Sequence, residues 1–531
     1  MVEAIATAET EQLENKISKR LEWLTVKRLF FLTLILSAII YSQFQILKQP
    51  IRGDRANWEY FAQVIARGGM PYRDVVNIKS PLSAYIGAAA IVVSRPFGVR
   101  DIYAVRFAFI LLGIITTGLI FLTAFAYFNS RATALLAAII FLAFDSFIVA
   151  NSAGIQPKTP MILFGVAALL CTRRDRPFAA GAFSMLSALS WQPGLLFLGA
   201  AGLAFSRYLT SWRDLKVVKL ILGAALPLAL MLAHLWTGGA VRDFYLWTVD
   251  FNFNVYAPGE LKPLSRFEGY LGRMWRNYYR NDRAFLALTV AGFFLWTGLE
   301  IRDAIKNGRR ALLDRAPYHA VVISFLVYFF FCAINVQGSA DSFPFLPFIA
   351  FFSAFILVLA LKLLVKLALR LARLAPYPTT VQSAGLLLVC LVVFVMGVGD
   401  SFKYRRKALR LQEQEAEVRE ITSHLQPGDK IFVHGPTEIL VLAHLPNASK
   451  YFFLDRGKDL YLSKVEEGGF DGWFERLKAE RPKIVGMTRL RKVARRKDFN
   501  QWLEAEYEER KGKIFTYYLR KDALTTSQSA Q

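Results

Sequence analysis

The chain has 531 residues, 54% hydrophobic and 14% aromatic, with 65 Lys and Arg against 41 Asp and Glu for a formal charge of +24. Its apolar residues gather into runs of roughly 18–25, the length that crosses a bilayer core, which excludes an ordinary soluble domain. The basic excess falls in short loops between these runs, where it sets orientation and meets anionic headgroups, so it does not indicate nucleic acid.

Residues 1–28 are polar, and Lys16, Lys19, Arg20, Lys27 and Arg28 precede the first apolar run at 29–47. A positive flank before a full-length run predicts a retained span with a cytoplasmic N-terminus, not a cleaved leader. Further runs lie at 102–127, 132–150, 160–172, 178–191, 194–206, 217–236, 284–300, 318–335, 343–364 and 382–398. The expected fold is a polytopic α-helical membrane protein of about eleven transmembrane helices, since hydrocarbon does not tolerate unpaired backbone groups. Loop charges support the order. Arg131, then Arg173, Arg174 and Arg176, then Arg207, Arg213 and Lys216 fall on inner loops. So do Arg302, Lys306, Arg309, Arg310 and Arg315, and later Lys366, Arg370 and Arg373. The short outer connections 151–159, 191–193 and 336–342 carry only Lys158 among basic residues.

Three outer segments are longer. The first, 48–101, holds a polar amphipathic stretch, a Gly-rich turn and an apolar stretch at 82–97. A crossing at 82–97 would invert every later loop, so a helix at the outer interface is expected there. The second, 237–283, is rich in Trp, Tyr, Phe and Arg. The third is the tail from 399. A charged helix or linker at 403–425 precedes strand-like runs at Lys430–Gly435, Lys450–Leu454, Lys483–Met487 and Lys513–Leu519. Helical patterns near 437–445, 472–480 and 495–508 alternate with them. The chain thus divides into a cytoplasmic segment (1–28), a membrane domain (29–398) and a small extracytoplasmic α/β domain (399–531).

Cys171, Cys332 and Cys390 sit in or beside apolar runs without metal or disulfide spacing, and the five His are dispersed. The chemistry-bearing residues concentrate in the first outer segment: Gly53-Asp54, Tyr60, Gly68-Gly69, Pro71-Tyr72-Arg73-Asp74, and Lys79 shortly before Pro81. Asp54 suits either an N-cap of the following helix or a general base. Asp145, inside a span, should face a cavity or a partner. Asp341 reads as a helix cap. Arg242, Arg266, Arg273, Arg276 and Arg280 interleave with Trp247, Trp275, Tyr278 and Tyr279. That set suits a phosphate headgroup beside a sugar, or a lipid-facing interfacial belt.

Taken together, the first-segment motifs resemble membrane glycosyltransferases of the GT-C type, which include the protein O-mannosyltransferases and the lipid A aminoarabinose transferase. The likeness is strongest to bacterial members that use polyprenyl-phosphate sugars. It implies a GT-C-like membrane domain, a polyprenyl-phosphate sugar as donor, and a lipid, glycan or protein acceptor outside the cytoplasm of a bacterial inner membrane. Asp54 would be the general base, with Asp74 the second acid of the catalytic pair. Tyr60, Tyr72, Arg73, Lys79, Lys158, Gln192, Arg273 and Arg276 would bind substrate. No cofactor is implied with certainty, and a divalent metal remains compatible. Lys158 stands where relatives often carry an Asp, and it reads as a phosphate ligand or as a side chain snorkelling to headgroups. Gln192 stands where many carry a Lys, and Asn77 and Ser80-Pro81 replace the usual acid-proline pair. The competing readings are a transporter or flippase, which would need charges along several mid-membrane helices, a polysaccharide polymerase, and a degenerate relative acting as scaffold.

Overall fold

The computed structural model describes residues 24–42, 48–206, 215–256, 280–307, 316–334, 339–371, 385–393, 410–488 and 493–522, with Gly269, Gly272, Trp275 and Val395. Helix α1 is Leu24–Ser42. The outer segment forms α2 (Asp54–Ala66) and α3 (Leu82–Ser94), the latter continued by a tight turn to Phe97. Then come α4 (Asp101–Phe128), α5 (Arg131–Leu142) and α6 (Asp145–Ser152). Next are α7 (Lys158–Arg173), α8 (Pro177–Ser190), α9 (Leu195–Phe205) and α10 (Lys216–Thr237). A short α11 (Val241–Tyr245) runs into wide helical turns to Tyr256. The later helices are α12 (Arg280–Lys306), α13 (Ala316–Ile334), α14 (Leu346–Leu371) and α15 (385–393).

Among the described residues every apolar run read from the sequence falls on helix, with 132–150 split into α5 and α6, which bend by 62°. Among the described residues five helices are long and apolar enough to cross a membrane, or six if the bent pair is one span. Helices α7, α8 and α9, at 16, 14 and 11 residues, fall short of that length. A crossing needs about 20 residues. The chain is an integral membrane protein by this count of apolar helices. Phe31, Ile35, Leu222, Leu230, Leu363 and Leu371 stand exposed, as lipid-facing residues do. Small residues bring helices together. A Cβ on Gly181 would meet the Leu220 carbonyl at 2.0 Å, and one on Gly223 the Phe178 carbonyl at 2.0 Å, so α8 and α10 cross backbone to backbone.

The C-terminal residues build α16 (Leu411–Thr422), β1 (Ile431–His434), α17 (Glu438–Ala443), α18 (Lys458–Val465) and α19 (Gly469–Ala479). They continue with β2 (Ile484–Met487), α20 (Arg496–Glu506), β3 (Tyr507–Lys511) and β4 (Thr516–Arg520). The strand order is β1-β2-β4-β3, with β1 and β2 parallel and the other pairs antiparallel. Two details differ from expectation. Lys450–Leu454 is not a strand: the Lys450 carbonyl accepts from Val76 N–H (3.1 Å) and the Phe452 carbonyl from Gly435 N–H (3.0 Å). It bridges the sheet to the outer segment. Strand β3 (Tyr-Glu-Glu-Arg-Lys) is too charged to read as a strand, and its hairpin with β4 makes it an edge.

This unit docks on the first outer segment through buried polar pairs. Gln414 bonds both backbone groups of Ile51 (3.0 and 2.9 Å). The Thr437 hydroxyl meets Asn57 Oδ1 at 2.6 Å, and Asn447 N–H donates to the Tyr60 hydroxyl at 2.9 Å. Gln63 donates to the Val441 carbonyl at 3.2 Å. Residues of α2, α3 and α4 share one apolar core with α16, α17 and β1. Residues 48–101 are therefore held between the apolar helices and the sheet.

Candidate functional site

Asp54 is the first residue of α2. The cap position belongs to Gly53, whose φ of 55° favours glycine and whose N–H is held by Glu438 (2.8 Å). No side chain caps this helix end, so Asp54 is not the cap that its position suggested. Its carboxylate is exposed and makes no hydrogen bond or ion pair among the described residues.

The loop between α2 and α3 carries Lys79, whose amine feels the Asp54 charge. Tyr72 shapes that loop. Its backbone has φ 68°, its N–H donates to the Val75 carbonyl (2.8 Å), and its buried hydroxyl donates to the Lys79 carbonyl (2.8 Å). The neighbouring Ile78 carbonyl accepts from Gln192 (2.9 Å) and from Asn252 (2.6 Å). Three segments distant in sequence thus fix one short stretch. Burial pushes the Lys79 amine below the ordinary lysine range. Asp54 and Asp341 oppose that shift, and Lys158 and Lys458 reinforce it. The five charges share one neighbourhood.

Lys158 opens α7, with a side chain only 8% exposed. A cation at a helix N-terminus opposes the macrodipole. It is compensated by Asp341 at 2.8 Å and by the Trp191 ring, whose centroid lies 4.7 Å away. Burial removes the snorkelling reading. Asp341 lies in the tight turn Ser339–Phe345, and its carboxylate is Lys158's ion-pair partner.

The fifth charge was not anticipated. The turn Asp455-Arg456-Gly457-Lys458 leads from the sheet to α18, with φ 57° at Arg456 and 84° at Gly457. Lys458 is buried, 2.8 Å from Asp455 and over the Phe453 ring. Burial lowers its pKa, and the charges of Asp455 and Asp54 raise it. Arg456 donates to the Tyr256 hydroxyl (2.9 Å). A polar turn with a glycine between two aromatic residues and a helix was the available signal.

Other expected site residues are placed elsewhere. Arg73 and Asp74 pair with each other at 2.7 Å. Asp74 also accepts from Met70 N–H (2.7 Å), and Arg73 donates to the Gly238 carbonyl (2.9 Å). That pair closes a turn. The Arg73 guanidinium holds the Asp74 carboxyl below the usual range. Tyr60 spends its hydroxyl on Asn447 and packs edge-on against Phe452. Trp247 is core, packed on Tyr451 and Tyr461, whereas Arg242 is exposed. Asp145 begins α6 at the bend. Arg273 and Arg276, with Arg266, Tyr278 and Tyr279, lie outside the described residues. Behind the site, Glu59 is fully buried with neither carboxylate oxygen hydrogen-bonded, and burial raises its pKa to about 8 against the opposing charge of Arg106. Among the described residues no three His, Cys, Asp or Glu side chains converge to hold a metal.

Comparison with known proteins bears on the fold. A family model described as dolichyl-phosphate-mannose-protein mannosyltransferase matches residues 74–206. That range contains Asp74, Lys79, Lys158 and Gln192 and begins after Asp54. A search of curated proteins finds no match. Two solved structures are similar over nearly the whole chain. The crystal structure of ArnT from Cupriavidus metallidurans bound to undecaprenyl phosphate aligns with a TM-score of 0.58 at 14% identity, covering 92% of this chain and 97% of that one. The same protein in the apo state aligns with a TM-score of 0.52 at 14% identity over the same shares. These findings bear out the resemblance drawn from residues 48–101: the fold is similar to that of ArnT over 92% of the chain, and residues 74–206 match the mannosyltransferase family model.

Proposed function

We propose that this chain is a glycosyltransferase that moves a sugar from a polyprenyl-phosphate donor to a hydroxyl of a lipid, glycan or protein acceptor. The observation that carries the reading is that, among the described residues, the Asp54 carboxylate and the Lys79 amine have no hydrogen-bond or ion-pair partner, while the Asp54 charge acts on Lys79. The fold shared with a protein solved in complex with undecaprenyl phosphate supports a lipid-phosphate ligand.

In the proposed reaction the acceptor O–H gives its proton to the Asp54 carboxylate. The acceptor oxygen bonds to the anomeric carbon as the bond from that carbon to the phosphate oxygen breaks. The electron pair leaves with the phosphate, which becomes a dianion, and Asp54 returns its proton to solvent. A positioned base contributes about 10²–10⁴-fold to such a step. Lys79 receives the growing phosphate charge, and a desolvated cation there acts more strongly than one in water. Arg73, Asp74, Tyr60 and Tyr72 shape the segment that presents these groups. Gln192 fixes Lys79 through Ile78, and Lys158 with Asp341 forms a wall of the site.

The same reading has eleven crossings, with α7, α8, α9, α13 and α15 added to the five long helices and the bent α5–α6 pair, the N-terminus in the cytoplasm and residues 399–531 outside it. Loop charge supports that orientation. The host membrane would be a bacterial inner membrane. The test is release of polyprenyl phosphate by the purified chain in nanodiscs, from a panel of polyprenyl-phosphate-linked sugars with membrane lipid extract as acceptor. Release by the parent, lost in both Asp54→Asn and Lys79→Ala, is expected. Parent activity that survives unchanged in Asp54→Asn refutes the base.

A further inference from the structure

The C-terminal unit is not a spectator to the membrane site. We infer that Lys458, carried on the turn Asp455–Lys458, is a second anion-binding residue that shares with Lys79 the phosphate of the lipid-linked ligand. The inference rests on the proposed glycosyltransferase reading and extends its binding site into the α/β unit.

The geometry brings Lys458 there by a chain of contacts. The Ile78 carbonyl, one residue before Lys79, is held by Asn252 at 2.6 Å. Asn252 opens the wide helical turn that ends at Tyr256. Arg456 bonds the Tyr256 hydroxyl at 2.9 Å, and a Cβ on Gly457 would lie 3.0 Å from Val255. The loop bearing Lys79 and the turn bearing Lys458 therefore both contact the short segment Asn252–Tyr256. The sheet unit is also pinned to α2 immediately around Asp54, through Ile51, Gly53 and Asn57.

Charge completes the case. The Asp54 carboxylate acts on both amines, and Lys458 acts on Lys79. Lys158 is committed at 2.8 Å to Asp341 and covered by Trp191. Among the described residues Lys458 pairs with Asp455 at 2.8 Å and lies over the Phe453 ring, on a turn with two successive left-handed residues, and the Asp54 charge acts on it. Asp54 and Asp455 offset part of the charge on these two amines, and a phosphate held between them would give each a further charge-assisted contact. Those contacts strengthen as the phosphate gains negative charge when the sugar leaves.

The experiment measures binding of undecaprenyl phosphate, with undecaprenol as headgroup control, to the full chain in nanodiscs. Lys458→Met should weaken undecaprenyl phosphate binding on the order of tenfold, as loss of one charge-assisted contact does, and leave undecaprenol binding unchanged. Lys458→Arg should restore most of the affinity. Asp455→Asn, which releases Lys458 from its partner, should hold or tighten it. If Lys458 serves only to staple its own turn, Asp455→Asn and Lys458→Met behave alike and lose thermal stability together, and the inference is overturned. Parent-like binding in Lys458→Met, with binding lost in Lys79→Ala, overturns it also while leaving the proposed function standing. A parent that binds undecaprenyl phosphate no better than undecaprenol sinks both. The double variant Asp455→Asn/Lys458→Met leaves a neutral turn and should bind as weakly as Lys458→Met alone. Binding restored in the double variant assigns the loss to the unpaired Asp455 charge and overturns the inference.

Discussion

Replacing Lys158 with Met removes one half of a buried ion pair. The Nζ–Oδ1 distance to Asp341 is 2.8 Å, and the two side chains are 8% and 22% exposed. At an effective dielectric of about 20, the attraction at that distance is on the order of 6 kcal/mol, most of it offset by desolvation. Truncating one partner of a buried pair costs about 3–5 kcal/mol, and the partial exposure of Asp341 places this case near 3. That is roughly a hundredfold in the folding equilibrium. Removing both charges costs far less, so Lys158→Met/Asp341→Leu should recover most of the loss. Thermal unfolding of the purified chain in one detergent, run as a double-mutant cycle, reads the coupling. Single variants as stable as the parent, or strictly additive losses, refute a buried pair.

Other consequences are independent of that one. Burial lowers the Lys79 pKa, so its charge is present at low pH and lost as pH rises through that depressed value. The alkaline limb of transfer should fall below the ordinary lysine range, and Lys79→Arg should move it upward in a pH–rate profile. Glu59 has a raised pKa of about 8, so the folded state binds its proton more tightly than the unfolded one. Stability should fall as pH rises from the ordinary glutamate range through about 8, and Glu59→Gln should flatten that slope in melts at stepped pH. Gly181→Val should force α8 from α10 and lower the melting temperature more than the same change at the open Gly199. Gln414→Leu leaves both backbone groups of Ile51 buried without partners, at about 1–3 kcal/mol each. Faster hydrogen exchange at Ile51 reads that loosening.

The membrane helices were legible because hydrocarbon imposes one rule on every segment, and each apolar run became a helix. What the pattern missed is where the constraint is tertiary. Asp145 read as lying inside one span, whereas it opens α6 at a bend of 62°. The charged β3 is a strand only because β4 pairs with it. In the proposed site, Asp54 and Lys79 come from a motif in the sequence. Asp74 was not readable as a turn-closing pair with Arg73, since that role depends on a hydrogen bond to Met70. Lys458 lies about 400 residues from Asp54 in the chain, and only the docking of the sheet on α2 joins them.

The most direct measurement is the Asp54→Asn variant assayed side by side for undecaprenyl phosphate binding and for release of polyprenyl phosphate from a sugar-loaded donor. The account predicts binding within a few-fold of the parent and release slowed by about 10²–10⁴-fold. Release at the parent rate would contradict it.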